Sequence, residues 1–185
     1  MVVRSAAPGR LELVRSFLNT WRLPHDTRVP EDRLPDLVAN PWEWRKVLPG
    51  VPHGHRRELD ELTELRTALR HTLGIQAPYE LRDWLDRHPV LVTIGEEQPI
   101  EHRPRDPGAA AALLALVVDG VAQRRWARLK ACPDCKHVFY DHSRNGTRTW
   151  CGMYANQPGG RACGSIAKVR AYRERKRDQP STADS

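Results

Sequence analysis

The sequence has no apolar run approaching the roughly 20 residues that a membrane-spanning helix needs, and only 39% of its residues are hydrophobic. Its start, MVVRSAAPGR, has no apolar segment of the kind found in secretory signals, so we expect a cytoplasmic protein. Cysteine is scarce, with 4 among 185 residues. In a reducing compartment, clustered cysteines are more often metal ligands than disulfide partners.

Acidic residues are rare in one part of the chain. Residues 121–177 hold 14 Lys and Arg but only 3 Asp and Glu, a balance of +11, whereas the remainder carries −4. A basic segment attached to a weakly acidic body is typical of proteins with a polyanionic partner such as nucleic acid, although a solvated basic face would look the same. Arginine outnumbers lysine by 25 to 5, so general arginine preference contributes to this balance.

Apolar periodicity predicts a mainly helical N-terminal part. A loop rich in proline and charge separates the first two helices and extends to about Ala39. The pairs Asn40-Pro41 and Asp106-Pro107 each predict the start of a helix, and Gly74 predicts the end of one. The predicted helices are Leu11–Trp21, a short helix opened by Asn40 and Pro41, Arg56–Leu73, a helix starting near Pro78, and a long helix from Asp106-Pro107 to about Arg128.

Two β-rich stretches, 90–94 and 98–103, flank a turn at 95–97 and predict an antiparallel hairpin. The fold class is therefore α+β: a mainly helical N-terminal domain with a small hairpin, followed by a small four-cysteine module of knuckle, hairpin and helix. The predicted boundaries are 1–128 for the first domain, 129–177 for the module and 178–185 for a polar, disordered tail.

The four cysteines have the spacing C-x2-C-x15-C-x11-C, through Cys132, Cys135, Cys151 and Cys163. The first pair can turn both sulfurs toward one point, and four thiolates suit a tetrahedral structural zinc ion. The gap between the last two is long for such a site. The sequence predicts one structural Zn²⁺ held by these four cysteines.

Other chemistries of the cysteines stay open. Iron–sulfur ligation uses the same four thiolates, and two disulfides would need an oxidising compartment. A redox C-x2-C usually opens a helix, whereas the strand-like stretch 136–140 follows this one. His137 and His142 are reserve ligands, for which surface roles in the hairpin are favoured.

The last basic stretch, SIAKVRAYRERKR, predicts a helix with Ser165 as its N-cap. Its apolar residues Ile166, Val169 and Tyr172 recur every three positions, so we expect them to pack onto the metal core. With zinc and four thiolates counted as −2, the module stays near +9, which favours a phosphate backbone as partner. The predicted nucleic-acid contacts are Arg144, Arg148, Lys168, Arg170, Arg173, Arg175, Lys176 and Arg177.

The stretch RLKACPDCKHVFYDHSRNGTRTWCGMY…ACGSIAKVRAYRERKR resembles the CGNR zinc finger, and LELVRSFLNTW resembles the start of the ABATE domain that precedes this finger in many bacterial proteins. The resemblance covers nearly the whole chain. It implies a stress-linked transcription regulator that binds DNA through the finger, with the four cysteines as zinc ligands. It also matches Phe17-Leu18-Asn19-Thr20 to an F-x-N-T motif, where Asn19 and Thr20 act as a helix cap or as part of a pocket.

Two features depart from the family pattern. The motif C-G-N-R reads Cys163-Gly164-Ser165-Ile166, so a serine replaces the capping asparagine and an isoleucine replaces a cation. The spacing between the last two cysteines exceeds the family's by about seven residues, an insertion over 156–162 that loop-closure entropy tolerates.

Three functional hypotheses remain. In the first, the chain is a zinc-dependent DNA-binding regulator whose N-terminal domain senses a small-molecule effector or mediates homodimerisation. In the second, the finger is structural in an adaptor or a small-molecule-binding protein, and a pocket between the Leu11–Trp21 helix and the hairpin would support this. An enzyme is a third and weaker alternative. His53 and His55 lack a partner at persuasive spacing, so no catalytic residue is predicted.

Overall fold

The computed structural model describes residues 6–24, 27–95, 100–152 and 162–178. Its helices and its three two-stranded antiparallel sheets confirm the α+β class. The helices are α1 (Leu11–Leu18), α2 (Leu34–Ala39), α3 (Pro41–Val47), α4 (Leu59–His71), α5 (Arg82–Arg87), α6 (Ala109–Ala122) and α7 (Cys163–Asp178), with 3₁₀ turns at Arg56–Glu58, Tyr79–Leu81 and Trp126–Arg128. The strands are β1 (Trp21–Arg22), β2 (Glu31–Asp32), β3 (Val90–Thr93), β4 (Glu101–Pro104), β5 (Leu129–Ala131) and β6 (Val138–Tyr140).

Helices α1, α4 and α6 pack against one another at the centre of the body. Phe17 and Leu18 of α1 and Leu65 of α4 are fully buried there, and each such side chain contributes about 1.5–3 kcal/mol by leaving water. Helix α6 is buried on most of its circumference, which agrees with its almost uninterrupted apolar sequence. None of the described helices is long and apolar enough to span a membrane.

The predicted helix ends were right at some positions and wrong at others. The side chain of Asn40 accepts hydrogen bonds from the first turn of α3, as expected of an N-cap. Asp106 does not cap α6, which begins at Ala109; its carboxylate instead pairs with the side chain of Arg105. Helix α6 also ends at Ala122, short of the predicted end. Gly74 has a φ of +82° three residues beyond the end of α4, in the left-handed region that glycine adopts without strain.

The segment predicted as a loop up to Ala39 contains a strand and a helix. Helix α1 ends at Leu18, and Trp21 lies in β1, which pairs with β2. Helix α2 then buries two leucines and a valine against the body, although it starts at the unusual pair Leu34-Pro35. Proline is acceptable in the first turn because its missing N–H has no helical partner there. The weak apolar pattern of this short helix explains the wrong prediction.

Strands β3 and β4 form the predicted antiparallel hairpin, with Val90 opposite Pro104 and Thr93 opposite Glu101. The hairpin lies against α6. Residues 96 and 97 of the predicted turn lie outside the described residues.

Strands β5 and β6 connect the body to the cysteine module. Leu129, Val138 and Tyr140 belong to the main hydrophobic core, whereas Phe139 packs in a second cluster with the buried cysteines and Trp150. Successive side chains of a strand point to opposite faces. Strand β6 therefore has one face on the helical body and the other on the cysteine cluster.

Candidate metal centre

The first two cysteines lie in a turn that follows β5. The backbone N–H of Cys132 donates to the carbonyl of His137 at 2.9 Å, and the N–H of Lys136 donates to the carbonyl of Cys132 at 2.8 Å. Lys136 closes the turn with a φ of +59°, which is strained for a residue with a side chain. These bonds fold the C-x2-C segment so that its two sulfurs turn toward one point.

The other two cysteines come from opposite sides of a long connection. Cys151 ends the segment after β6, and Cys163 is the first residue of α7. A backbone hydrogen bond of 2.9 Å from Gly164 to Gly152 holds these two ends together. The predicted insertion over 156–162 lies outside the described residues except for Ala162.

The four sulfur atoms lie within 4.8 Å of one another. The Sγ atoms of Cys135 and Cys151 are 3.5 Å apart, and those of Cys151 and Cys163 are 3.7 Å apart. A regular tetrahedron with zinc–sulfur bonds of about 2.3 Å has sulfur–sulfur edges of about 3.8 Å. The donor set therefore fits one structural zinc ion, as predicted.

The electrostatics of the cluster also favour a cation. Hydrogen bonds from the thiols of Cys135 and Cys151 lower the pKa of Cys132, while the side-chain hydrogen bond to Cys132 raises the pKa of Cys151. Burial raises the pKa of Cys163. The thiol of Cys132 is therefore the one that ionises readily, whereas ionisation of Cys151 and Cys163 is disfavoured. A divalent cation would stabilise thiolates at all four positions.

The two histidines considered as reserve ligands bind elsewhere. A ring nitrogen of His137 lies 3.4 Å from the Arg15 guanidinium, and Nε2 of His142 lies 2.7 Å from the carbonyl oxygen of Ala6. Neither belongs to the ligand cluster in the described part of the chain.

A buried carboxylate organises the segment between β6 and Cys151. Asp141 is fully buried and accepts hydrogen bonds from Lys130 Nζ at 2.8 Å, from the hydroxyl and N–H of Ser143 at 2.6 and 2.9 Å, and from the N–H of Arg148 at 2.8 Å. Burial alone would raise the pKa of Asp141, but these bonds outweigh it and lower the pKa to about 2. The polar turn at 143–145 is therefore folded around Asp141.

Arg148, a predicted phosphate contact, holds the metal segment in place. Its guanidinium donates to the carbonyls of Trp150, at 2.8 Å, and Cys151, and it lies 4.9 Å from the ring of Phe139. Arg144 differs, because its side chain is exposed and, among the described residues, its contact is a bond that its backbone carbonyl accepts from Arg128.

Side chains of the helical body fasten the cysteine module. Asn19, just after α1, donates from Nδ2 to the carbonyl of Val138 at 2.9 Å and accepts from the N–H of Val138 at 2.8 Å. Arg70 donates to the carbonyl of Lys136 at 2.6 Å, and Arg28 to that of Asp134 at 3.0 Å. Asn19 is thus an anchor for β6 as well as the residue that ends α1.

Thr20, matched with Asn19 in the motif, has a different role. Its buried hydroxyl donates to the carbonyl of Phe17 at 2.7 Å and accepts from Arg66 at 2.8 Å. Arg66 also binds both carboxylate oxygens of Asp32, at 2.5 and 2.6 Å. Thr20 therefore belongs to a buried polar network that ties α1, β2 and α4 together.

Helix α7 leaves the metal cluster and becomes exposed. Its first two residues are buried, and Ser165 lies within the helix, since the helix begins at Cys163 and not after Ser165 as predicted. Ile166 is half-buried, but Val169 and Tyr172 are 49% and 60% exposed, so the prediction that both pack on the metal core was wrong. The helix reaches Asp178, the first residue of the predicted tail; residues 179–185 lie outside the described residues.

The cations of α7 share this exposure. None of them makes an ion pair or hydrogen bond with a residue that the structure describes. These side chains are Lys168, Arg170, Arg173, Arg175, Lys176 and Arg177.

Residues 128–176 match the family model of the CGNR zinc finger. The match covers β5, β6, all four cysteines and nearly all of α7. Among curated proteins, none matches this chain. The C-terminal part is therefore a CGNR-type zinc finger with four cysteines positioned to bind one metal ion.

Sequence reasoning overlooked Asp141. An aspartate that follows a strand is common in turns, where its side chain usually faces solvent. The residue type alone therefore did not indicate that Asp141 is buried. The available signals were its position directly after the apolar stretch of β6 and the serine two residues later, since aspartate commonly accepts from the backbone two positions on.

Proposed function

We propose that the chain is a zinc-dependent, DNA-binding transcriptional regulator that contacts duplex DNA through α7. The observation that carries this proposal is the set of six exposed cations on α7, unpaired within the described residues. Like charges on one short helix repel one another. A phosphate backbone relieves that repulsion and gains free energy from the release of its counterions.

The geometry of α7 suits such contacts. Its 16 residues correspond to about 24 Å of helix, and a DNA major groove about 12 Å wide admits a helix. Arg170, Arg173 and Arg177 lie on one side of α7, which they share with Ile166, Val169 and Glu174. Glu174 is the only acidic residue among 165–177.

The zinc ion has a structural role in this proposal. Cys163 is both a metal ligand and the first residue of α7, so the ion fixes where the helix begins. The finger retains a large positive charge when the four thiolates and the ion are included. The ion therefore orders the scaffold that presents the cations.

A salt titration of DNA binding tests the proposal. We expect the zinc-loaded chain to bind a labelled duplex by fluorescence anisotropy, with affinity falling steeply as salt rises. Removing Arg170 and Arg173 together should weaken binding and reduce the slope of log K against log salt by about 1.8, since each lost phosphate contact is worth about 0.9.

The matched control removes two exposed arginines from the helical body, Arg56→Ala with Arg57→Ala. It deletes the same charge, so an equal loss of slope in both double variants would show a general charge effect and not contact by α7. Undetectable binding of the zinc-loaded chain at low salt would contradict the proposal altogether.

We further propose that residues 1–128 form an ABATE-type module that senses a small-molecule effector or mediates dimerisation, in a stress-linked cytoplasmic regulator. Support comes from the resemblance of the α1 segment to that domain and from the contacts of Asn19 and Arg70 with the finger. Through them, a change in the body would reach the finger directly.

The second candidate function is a small-molecule-binding protein or adaptor in which the finger is only structural. A cavity beside the start of α1 and β4 favours it, as does Ile166, which lies half-buried beside Cys163 and Trp150 where the family has a cation. The same DNA titration separates the two candidates.

A further inference from the structure

We propose that the cavity between the start of α1, strand β4 and α6 binds a small carboxylic acid with an apolar body. The cavity measures about 370 Å³, within the usual range of sites for small molecules. It lies in the helical body and shares no residue with the metal centre.

One side of α6 forms the floor of the cavity. Ala112, Ala115, Leu116 and Asp119 line it, spaced so that they share one face of the helix. The two alanines leave room above the helix, and Ala115 and Leu116 are buried. This floor offers an apolar surface that ends in a polar group at Asp119.

His102 of β4 is held in a fixed orientation next to that polar end. Its Nδ1 lies 3.2 Å from Oδ1 of Asp119, and Oδ2 of Asp119 accepts from Gln123 at 2.8 Å. The histidine side chain is only 11% exposed. With Nδ1 engaged, Nε2 is the ring nitrogen available to a ligand.

One guanidinium at the cavity offers a contact to an anion. Glu101 is paired with Arg103 through a contact of 2.7 Å, and the carboxylate of Asp119 is hydrogen-bonded to the His102 ring and to Gln123. Arg10 also lines the cavity, and its side chain makes no hydrogen bond or ion pair with any described residue. Both carboxylates of the lining thus have described partners, whereas the Arg10 guanidinium has none among the described residues, and a guanidinium is well suited to a carboxylate.

The position of Arg10 connects the cavity with the finger. Arg10 directly precedes α1, and Asn19 at the other end of the same helix binds β6. The inference rests on the ligand-sensing part of the proposed function and names the chemical class of the effector. Binding by the chain alone, without DNA, tests it separately from DNA recognition.

The test uses the zinc-loaded full chain and a panel of acetate, butyrate, benzoate and phenylacetate, with benzamide and phenylacetamide as neutral counterparts. We expect one-to-one binding of at least one aromatic acid by calorimetry, and binding of its amide weaker by roughly tenfold or more because the charged contact is lost. Binding of none of the four acids up to about 10 mM, a limit near −3 kcal/mol, or equal binding of acid and amide, would overturn the inference.

Variants locate the site. Arg10→Ala should weaken binding of the acid by roughly tenfold, and Ala112→Leu should block binding by filling the cavity without changing its charge. Arg82→Ala, an exposed arginine of α5 that does not line the cavity, should bind like the wild type. Equal affinity of the Arg10→Ala and Arg82→Ala variants would contradict the proposed site. If the wild-type chain binds a carboxylate but does not bind DNA, only the proposed DNA-binding function is contradicted.

Discussion

The side chain of Asn19 is hydrogen-bonded in both directions to the backbone of Val138, 119 positions further along the chain. Its amide donates and accepts as a neighbouring strand would, so it completes the outer edge of β6. Through this pair the end of α1 in the helical body is fixed to the zinc finger. The same residue also terminates α1, where its backbone N–H donates to the carbonyl of Arg15.

Replacing Asn19 with alanine should therefore destabilise the junction between body and finger. The change leaves the N–H of Val138 without its partner, and an unsatisfied buried group costs about 1–3 kcal/mol. Urea unfolding of the zinc-loaded protein measures this loss. Asn145→Ala, an exposed asparagine of the finger, is the control and should change stability by less than about 0.5 kcal/mol. Equal stability of both variants would show that Asn19 does not anchor β6.

Removal of zinc should unfold one side of the finger and spare the other. The second hydrophobic cluster consists of the cysteines, Phe139 and Trp150, which is too small a core to persist without its metal. Leu129, Val138 and Tyr140 are held by the main core and should stay in place. In hydrogen exchange after chelation, amides of residues 163–170 should lose protection while those of β6 keep it.

Metal analysis accompanies that experiment. One zinc per chain is expected in protein purified without chelator, and less than half of that amount would contradict the assignment of the site. Equal loss of protection in β6 and α7 would show that the finger responds to metal as one unit.

Arg148 and Arg144 form a matched pair with different expected roles. Arg148→Ala removes the hydrogen bonds to the carbonyls of Trp150 and Cys151, so it should lower the stability of the zinc-loaded finger by about 1–3 kcal/mol. Arg144→Ala removes an exposed side chain and should change stability by less than about 0.5 kcal/mol. Thermal unfolding and competition with a zinc chelator measure both effects. Equal destabilisation by the two substitutions would contradict the role given to Arg148.

Asp141 should make the finger sensitive to acid. Its folded pKa of about 2 lies below the ordinary value of 3.8, so its contribution is present above about pH 4 and is lost as pH falls toward 2. This difference corresponds to about 2 kcal/mol. The stability gap between wild type and Asp141→Asn should shrink as pH falls through this window. Both proteins lose metal at low pH, so the difference between their stabilities reports on the carboxylate of Asp141. A difference that stays constant as pH falls would contradict the role given to Asp141.

Local patterns predicted those features that depend on neighbouring residues. The helix predicted over Arg56–Leu73, the N-cap Asn40 and the β3–β4 hairpin were all recognisable, because each follows from spacing or from a single local rule. The metal site was predictable for a related reason, since few chemistries use four clustered cysteines.

Features that depend on distant partners could not be predicted in the same way. Val169 and Tyr172 have helical spacing, yet α7 leaves the body before either can be covered. The anchoring role of Asn19 requires the position of Val138, which only the tertiary structure supplies.

The two faces of β6 also constrain its register. If the strand slipped by one residue, Phe139 would turn toward the helical body, and Val138 and Tyr140 would turn toward the sulfurs. The helical core would then lose Val138 and Tyr140, and the cysteine cluster would lose Phe139. Binding of the metal and packing of the helical core therefore require the same register of β6. During folding, each of them disfavours the shifted register.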